Sequence, residues 1–239
     1  YFATLGSDTP PLAYDDIELC DMIMHFGHNA RESHPIIFWR AADYKKKSDI
    51  PTVVVDPRRT GTQMGYEDVN PENSVHVPIL NGDISFLNSI AHVLLKDHPD
   101  VIDWDFLKEY VNGWEAYTEG VLNDYSPEQV QDRMGGPNHD VSPDVIRRVA
   151  SLFADATRKR LARSKGKQSS SGPGAEGGYG GVIIMWGIGY NQHIHGQHNV
   201  ISIINLLTLT GNLAKPGCGP FSMTGQPNAM GERFTGGLT

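Results

Sequence analysis

The chain has 239 residues, 39% hydrophobic and 20% charged, an ordinary balance for a globular protein and enough length for one large domain or two small ones. A net charge of −8 argues against a nucleic-acid backbone as partner, and no apolar run approaches the ~18 residues of a membrane-crossing helix. The two cysteines, Cys20 and Cys218, lie far apart and outside any CxxC pair, which argues against a zinc site or a disulfide framework.

Residues 1–16 read as irregular, with Pro10-Pro11 and Asp15-Asp16. The apolar run Met22 to Phe26 is consecutive rather than alternating, so it predicts a buried strand. Gly27-His28-Asn29 then turns the chain into a helix from about His34 to Lys47. Ile36, Ile37, Trp39 and Ala41 are expected to cover its inner side, and Lys45-Lys46-Lys47 suits the negative end of its dipole. Val53-Val54-Val55, ended by Asp56-Pro57, is the second predicted strand, and Ser74 to Pro78 is a third. Asp83 is expected to cap a helix to about Lys96, with Ile84, Leu87, Ile90, Ala91 and Leu94 at helical spacing.

Residues 101–130 predict two or three short helices with Trp104, Phe106, Tyr110, Trp114 and Tyr117 as core aromatics. Ser142 and Pro143 open a helix to about Arg160 whose apolar face is Val145, Ile146, Val149, Leu152 and Phe153. A basic stretch, Arg158 to Lys167, runs into a Gly/Ser-rich segment (164–181) that reads as a flexible surface insertion. Val182 to Trp186 has strand length, and Val200 to Leu209 reads as a helix. The rest, rich in glycine and with Pro216, Pro220 and Pro227, reads as a loop-like binding surface. The alternation of strands and helices predicts an α/β fold: a Rossmann-like, mostly parallel sheet flanked by helices, with a glycine-rich C-terminal loop region.

Three predicted strands end in Gly or Asp: Gly27-His28-Asn29, Asp56-Pro57-Arg58-Arg59 and Gly187-Ile188-Gly189. Ligands of parallel α/β sheets bind outside these carboxyl ends. A glycine there is either a plain turn or a place where backbone N–H approaches a phosphate. Asp56 either closes a turn with Arg58 or accepts from a ribose hydroxyl or a guanine edge. Together the three favour a nucleotide, although none is GxGxxG. His193, His195 and His198 cluster, but their spacing suits no single helix face, and no metal site is predicted. Arg233, among small residues, is either an anion-recognising fork or an exposed arginine.

The segments GHNARESHP, VVDPRRTGT, GIGYNQHIHG, LLTLTGN with AKPG, and TGQPNAMG resemble the bis-molybdopterin guanine dinucleotide oxidoreductases. TGQPNAMG, with HVPILNGD and YDDIE, is most similar to the catalytic subunits of bacterial assimilatory nitrate reductases. The resemblance runs over the whole chain outside 164–181. It implies one domain, residues 1–239, that binds one guanine dinucleotide of a molybdenum cofactor. Gly27, Asn29, Glu32 and His34 fall on the family's first strand-end nucleotide motif, Asp56 and Arg58 with Pro57 on the second, and Asp83 on a helix-start contact to the guanine nucleotide. Gly187, Asn191, Gln192 and His193 fall on the pterin side, Gly225 and Gln226 on the loop beneath molybdenum, and Arg233 on the arginine lining a nitrate pocket.

The same resemblance implies a cytoplasmic enzyme acting on nitrate and taking electrons from ferredoxin, flavodoxin or an NADH-linked subunit. The other oxyanion reductases and the formate dehydrogenases of the family are the alternatives, and a non-catalytic nucleotide-binding module stands outside it. The chain opens on Tyr1 rather than Met and is expected to be part of a longer protein. The [4Fe-4S] cysteines and the molybdenum-ligating cysteine would then lie upstream, and Cys20 and Cys218 match neither. Three departures stand out. His28 replaces a small Ser, where a ring is expected to crowd the nucleotide. Asn81-Gly82 precedes Asp83 in place of a Gly-Thr-like pair. Glu232, Phe234 and Thr235 surround Arg233 where Gly, Glu and Val are usual, which puts a carboxylate beside the arginine.

Overall fold

Five short strands, β1 (Met22–Phe26), β2 (Thr52–Val55), β3 (Ser74–Val77), β4 (Val182–Trp186) and β5 (Gly219–Ser222), form one sheet in the order β3-β2-β1-β4-β5. Every pairing is parallel, with Met24 opposite Val53 on one side and Ile184 on the other. The computed structural model describes residues 2–6, 9–134, 141–164, 179–213, 215–226 and 229–235, and of these not the side chains at 2, 3, 230, 233 and 234. The predicted strands β1 to β4 match the observed ones to within a residue.

The helices are α1 (Phe2–Leu5), α2 (Ala30–Ser33), α3 (Pro35–Ser48), α4 (Gly61–Val69), α5 (Asp83–Asp97) and α6 (Trp104–Tyr110). They continue as α7 (Trp114–Asp124), α8 (Pro127–Met134), α9 (Pro143–Ser164), α10 (Ile188–Asn191), α11 (Gly196–Leu209) and α12 (Ala229–Phe234). Alternate residues of each strand feed two apolar layers. Met22, Met24 and Phe26 pack with α5, α9 and α11, whereas Ile23, Val54 and Ile183 pack with Phe38 of α3 and Tyr66 of α4. Helices on both faces explain why the strands read as continuous apolar runs.

Strand order reverses between β1 and β4. The chain first steps outward through β2 and β3, then returns by way of α5 to α9 to β4 on the other side of β1. The carboxyl ends of β1 and β4 therefore part, and a crevice opens where their following segments diverge.

Several local expectations change. Helix α4 was not foreseen; Gly61 and Gly65 obscure its pattern, and both are small because Arg31 and Phe38 pack against them. The segment read as a continuous loop after Thr210 contains β5 and α12. Pro220 is compatible with β5 because this is an edge strand. Ile36 and Trp39 face outward, and α3 buries Phe38, Ala41, Ala42 and Lys45 instead. Lys45 is no dipole partner on the surface. Its ammonium donates to the carbonyls of Ile50 (2.9 Å) and Asn73 (3.0 Å), and burial lowers its pKa to about 8. Gly82, not Asp83, is the residue before α5, and Asp83 is its first residue. Tyr110 is exposed and Trp104, Trp114 and Tyr117 only flank the core.

The basic end of α9 is a set of anchors. Arg158 pairs with Asp100 and Asp155, and Arg163 with Asp21 (2.6 and 2.8 Å). Arg160 is fully buried and donates to Asn212 Oδ1 (3.2 Å) and the Thr210 carbonyl (2.9 Å). Asn212 in turn donates to Thr157 (2.7 Å) and Thr210 (2.9 Å). The LTLTGN segment thus latches α11 to α9. Residues 165–178, most of the predicted insertion, lie outside the described residues; at its end Gly181 N donates to Asp21 (2.8 Å) and Gly180 N to the Pro216 carbonyl (2.8 Å).

Candidate functional site

The crevice between the β1 and β4 ends is a cleft of about 830 Å³. Four segments supply most of its wall: residues 27–34 after β1, Asp56 and Arg58 after β2, residues 186–191 at the end of β4, and residues 222–226 after β5, with Pro10 and Val200 completing it. Of the residues singled out in the sequence, Gly27, Asn29, Glu32, His34, Asp56, Arg58, Gly187, Asn191, Gly225 and Gln226 line it.

At the cleft floor the two turns touch through backbone. A Cβ on Gly27 would lie 2.4 Å from the Gly189 carbonyl carbon, and Gly27 holds φ +51°. A Cβ on Gly187 or Gly189 would meet the Gly27 carbonyl oxygen at 2.9 or 2.8 Å. The β1 turn is then tied to α4. Thr62 donates from its hydroxyl (3.1 Å) and backbone N–H (3.3 Å) to Asn29 Oδ1, while Arg31 N–H donates to Thr62 Oγ1 (3.0 Å). Asn29 is in this way a strut as well as a cleft residue.

After β2, the largely buried Asp56 accepts from Arg58 N–H (2.9 Å), a local turn, and its carbonyl accepts from His76 (2.9 Å). Arg58 Nε lies 4.0 Å from the same carboxylate, and its side chain is 79% exposed, so the guanidinium is left in water at the cleft mouth. After β4, Tyr190 and Asn199 lock α10 to α11 reciprocally: the hydroxyl donates to the Asn199 carbonyl (2.6 Å) and Asn199 Nδ2 to the Tyr190 carbonyl (2.9 Å).

His28 lines the cleft, as the residue beside Gly27. Its ring is buried and held by hydrogen bonds at both nitrogens, to His25 (3.1 Å) and His34 (3.0 Å). Burial, and then the neighbouring rings, lower its pKa to about 2; burial lowers that of His25 to about 3, so both rings are neutral. His25 was not singled out. Its only signal is a histidine inside an otherwise apolar strand, and it is matched by Tyr66, whose hydroxyl lies 2.9 Å from His25 Nε2. Trp186, Met223 and Thr224 also line the cleft without having been assigned a role.

The remaining candidates lie outside the lining. Asp83 is half-buried at the start of α5, where burial raises its pKa to about 6 against a backbone hydrogen bond that lowers it. Gln192 is exposed, and His193 turns back onto its own segment, 2.8 Å from the Gly189 carbonyl. Arg233 falls within α12, its side chain outside the described residues, and Glu232 beside it is exposed. Cys20 and Cys218 are buried and unpaired, and burial raises both thiol pKa values, that of Cys218 to about 11. Among the described residues no group of three or more His, Cys, Asp or Glu is placed to hold a metal ion, and no helix is long and apolar enough to cross a membrane.

The fold and cleft define a doubly wound parallel sheet open at its switch point, the architecture in which nucleotide cofactors are held. The chain belongs to the molybdopterin oxidoreductase family, whose model matches residues 4–237. Over its full length it is 34% identical to a nitrate reductase of Synechocystis sp. (strain ATCC 27184 / PCC 6803 / Kazusa) and 32% identical to a nitrate reductase of Symbiobacterium thermophilum. Over 98% of its length it is 28% identical to formate dehydrogenase H of Escherichia coli (strain K12). The chain spans 28% of the length of each of these curated relatives.

The family implies a molybdopterin cofactor. Asn191 and Gln226 line the cleft with amides that carry both donor and acceptor atoms for a heterocycle edge, whereas Asn29 Oδ1 is taken up by Thr62. Arg58 offers a planar fork to a diphosphate. A Cβ on Gly225 would meet nothing within 4 Å, so the cleft wall is open beside it.

Proposed function

We propose that residues 1–239 form one guanine-dinucleotide-binding domain of a molybdenum-dependent nitrate reductase that reduces nitrate to nitrite. The observation that supports this best is the convergence of residues 27–34, 56–58, 187–191 and 225–226 on one cleft at the switch point. When bound, the cofactor supplies the redox centre. The chain's part is to hold and orient it. Asp56 accepts from the guanine or ribose, and Arg58 neutralises the diphosphate. Gly187 and Gly189 let the turn after β4 pack directly on Gly27, which sets the floor on which the ligand lies. In the same reading Asn191 serves the pterin side from the cleft wall with Gln192 and His193 next to it in the chain, Asp83 serves the nucleotide from outside the lining, and Gly225 and Gln226 form the loop beneath the metal. Arg233 attracts the anionic substrate.

In this reading the [4Fe-4S] cluster and the metal-ligating cysteine belong to the remainder of a cytoplasmic enzyme. Ferredoxin, flavodoxin or an NADH-linked subunit would supply electrons. Nitrate is preferred to formate because the nitrate reductases stand at 34% and 32% identity against 28% for the formate dehydrogenase. The test is turnover by the full-length protein. Dye-driven reduction of nitrate is expected, with Arg233→Ala raising the KM for nitrate while molybdenum content holds. Formate-dependent dye reduction without nitrate turnover would contradict the substrate.

A further inference from the structure

Beneath the cleft runs a chain of hydrogen bonds whose direction follows from its outer acceptor once the His34 ring is taken as neutral. Its outer end is the Thr224 carbonyl, which only accepts, 3.3 Å from His34 Nε2. His34 Nε2 therefore carries a proton, and in the neutral ring Nδ1 accepts. Ser33 Oγ lies 3.0 Å from both that Nδ1 and the Asn29 carbonyl, and its proton goes to the carbonyl. His34 Nδ1 then accepts from His28 Nε2–H at 3.0 Å. Neutral His28 must accept at Nδ1, so His25 Nδ1–H donates to it at 3.1 Å. His25 Nε2 accepts in turn from the Tyr66 hydroxyl at 2.9 Å. Each ring nitrogen has one role, and a change at either end forces a change along the whole series.

We propose that His25 and His28 are positioning residues: with Tyr66 they lock His34 in the tautomer that donates to the Thr224 carbonyl, and so register the loop 223–226 against the β1 turn. Two further observations favour this over simple packing. His25 and Tyr66 lie in an otherwise apolar layer beneath the sheet, where a polar pair needs mutual partners, and each is satisfied by the other. The loop it reaches is exposed at Thr224, Gly225 and Gln226, and the His34 bond joins it to a segment 190 residues distant in sequence. The structural part of this assignment stands without the proposed function. Its catalytic consequence, alignment of the loop residues with a bound cofactor and substrate, rests on that reading.

The experiment uses the full-length, cofactor-loaded protein and three variants. His28→Phe keeps a ring and removes both nitrogens. His28→Gln keeps one acceptor and one donor. Tyr66→Phe preserves the packing and removes only the first donor. Deuterium uptake is followed in the peptide spanning 222–226, with the β4 peptide 182–186 as internal reference, and nitrate kinetics are measured alongside. His28→Phe is expected to speed exchange in 222–226 roughly fivefold, the factor a net intramolecular hydrogen bond is worth. The reference should be unchanged, and the KM for nitrate should rise more than kcat falls. His28→Gln should return both readouts toward wild type, and Tyr66→Phe should give a smaller rise in exchange than His28→Phe. Unchanged exchange in His28→Phe, or His28→Gln behaving as His28→Phe, would overturn the proposal. Should His28→Phe fail to fold, the Tyr66→Phe result decides: unchanged exchange in 222–226 overturns it and a rise supports it. Absence of nitrate turnover in the wild type would defeat the proposed function and leave the exchange arm readable.

Discussion

After β1, residues 27–34 hold their place through side chains: Asn29 on Thr62, His28 on His25 and His34, His34 on the Thr224 carbonyl. After β4, Gly187, Gly189 and Gly196 make their closest contacts through the lack of side chains, while Tyr190 and Asn199 tie the turn to α11. A Cβ at Gly187 or Gly189 would strike the Gly27 carbonyl, and one at Gly196 the Asn191 carbonyl. The first wall of the cleft is a network of directional bonds, sensitive to protonation. The second is, at its glycines, a backbone surface sensitive to volume. A cleft built this way can set ligand orientation on one side and admit close approach on the other.

The largest expected effect tests where the walls meet. Gly27→Ala places a Cβ in the Gly189 backbone and asks alanine to adopt φ +51°. Left-handed backbone and overpacking together cost roughly 2–5 kcal/mol, read as a fall in thermal stability of the full-length protein. A variant as stable as wild type would mean the two turns can separate freely.

Acid should separate the walls next. His25 and His28 have folded pKa values lowered to about 3 and about 2, against about 6.5 when unfolded. The unfolded chain binds the extra protons, so stability present above pH 6.5 is lost as pH falls toward 3. The slope is at most about 1.4 kcal/mol per pH unit for each ring. Denaturant midpoints between pH 7 and pH 5 should fall less steeply in His28→Gln than in wild type; equal slopes would place the acid sensitivity elsewhere. The smallest effect on stability belongs to Gly225→Leu, because the space beside Gly225 is open. Melting should be unchanged while cofactor content drops. A loss of stability there would show the loop to be packed rather than ligand-facing.

Much of the scaffold was legible because buried parallel strands announce themselves as short apolar runs. Met22–Phe26 and Val182–Trp186 match β1 and β4 residue for residue. The cleft was legible because glycine and Asp at strand ends mark the sheet's carboxyl edge, where Gly27, Asp56 and Gly187 are found. Three features were hidden for physical reasons. β5 carries Pro220 between glycine-rich turns, and only its edge position makes that tolerable. The inner face of α3 is carried by Phe38 and small alanines, so Ile36 and Trp39 misled by size. The relay of Tyr66, His25, His28 and His34 joins residues on β1, α4 and the α2–α3 junction, a contact no local spacing expresses.

The central claim is that this cleft holds a guanine dinucleotide. It is tested most directly by the guanine nucleotide released on hydrolysis of the purified full-length protein, compared between wild type, Asp56→Ala and Asp100→Ala. Asp56 lines the cleft, whereas Asp100 lies outside it and pairs with Arg158. The account predicts about one equivalent of GMP for each dinucleotide arm in wild type and Asp100→Ala, and a loss in Asp56→Ala at unchanged folding. Undiminished GMP in Asp56→Ala, or none in the molybdenum-loaded wild type, would contradict it.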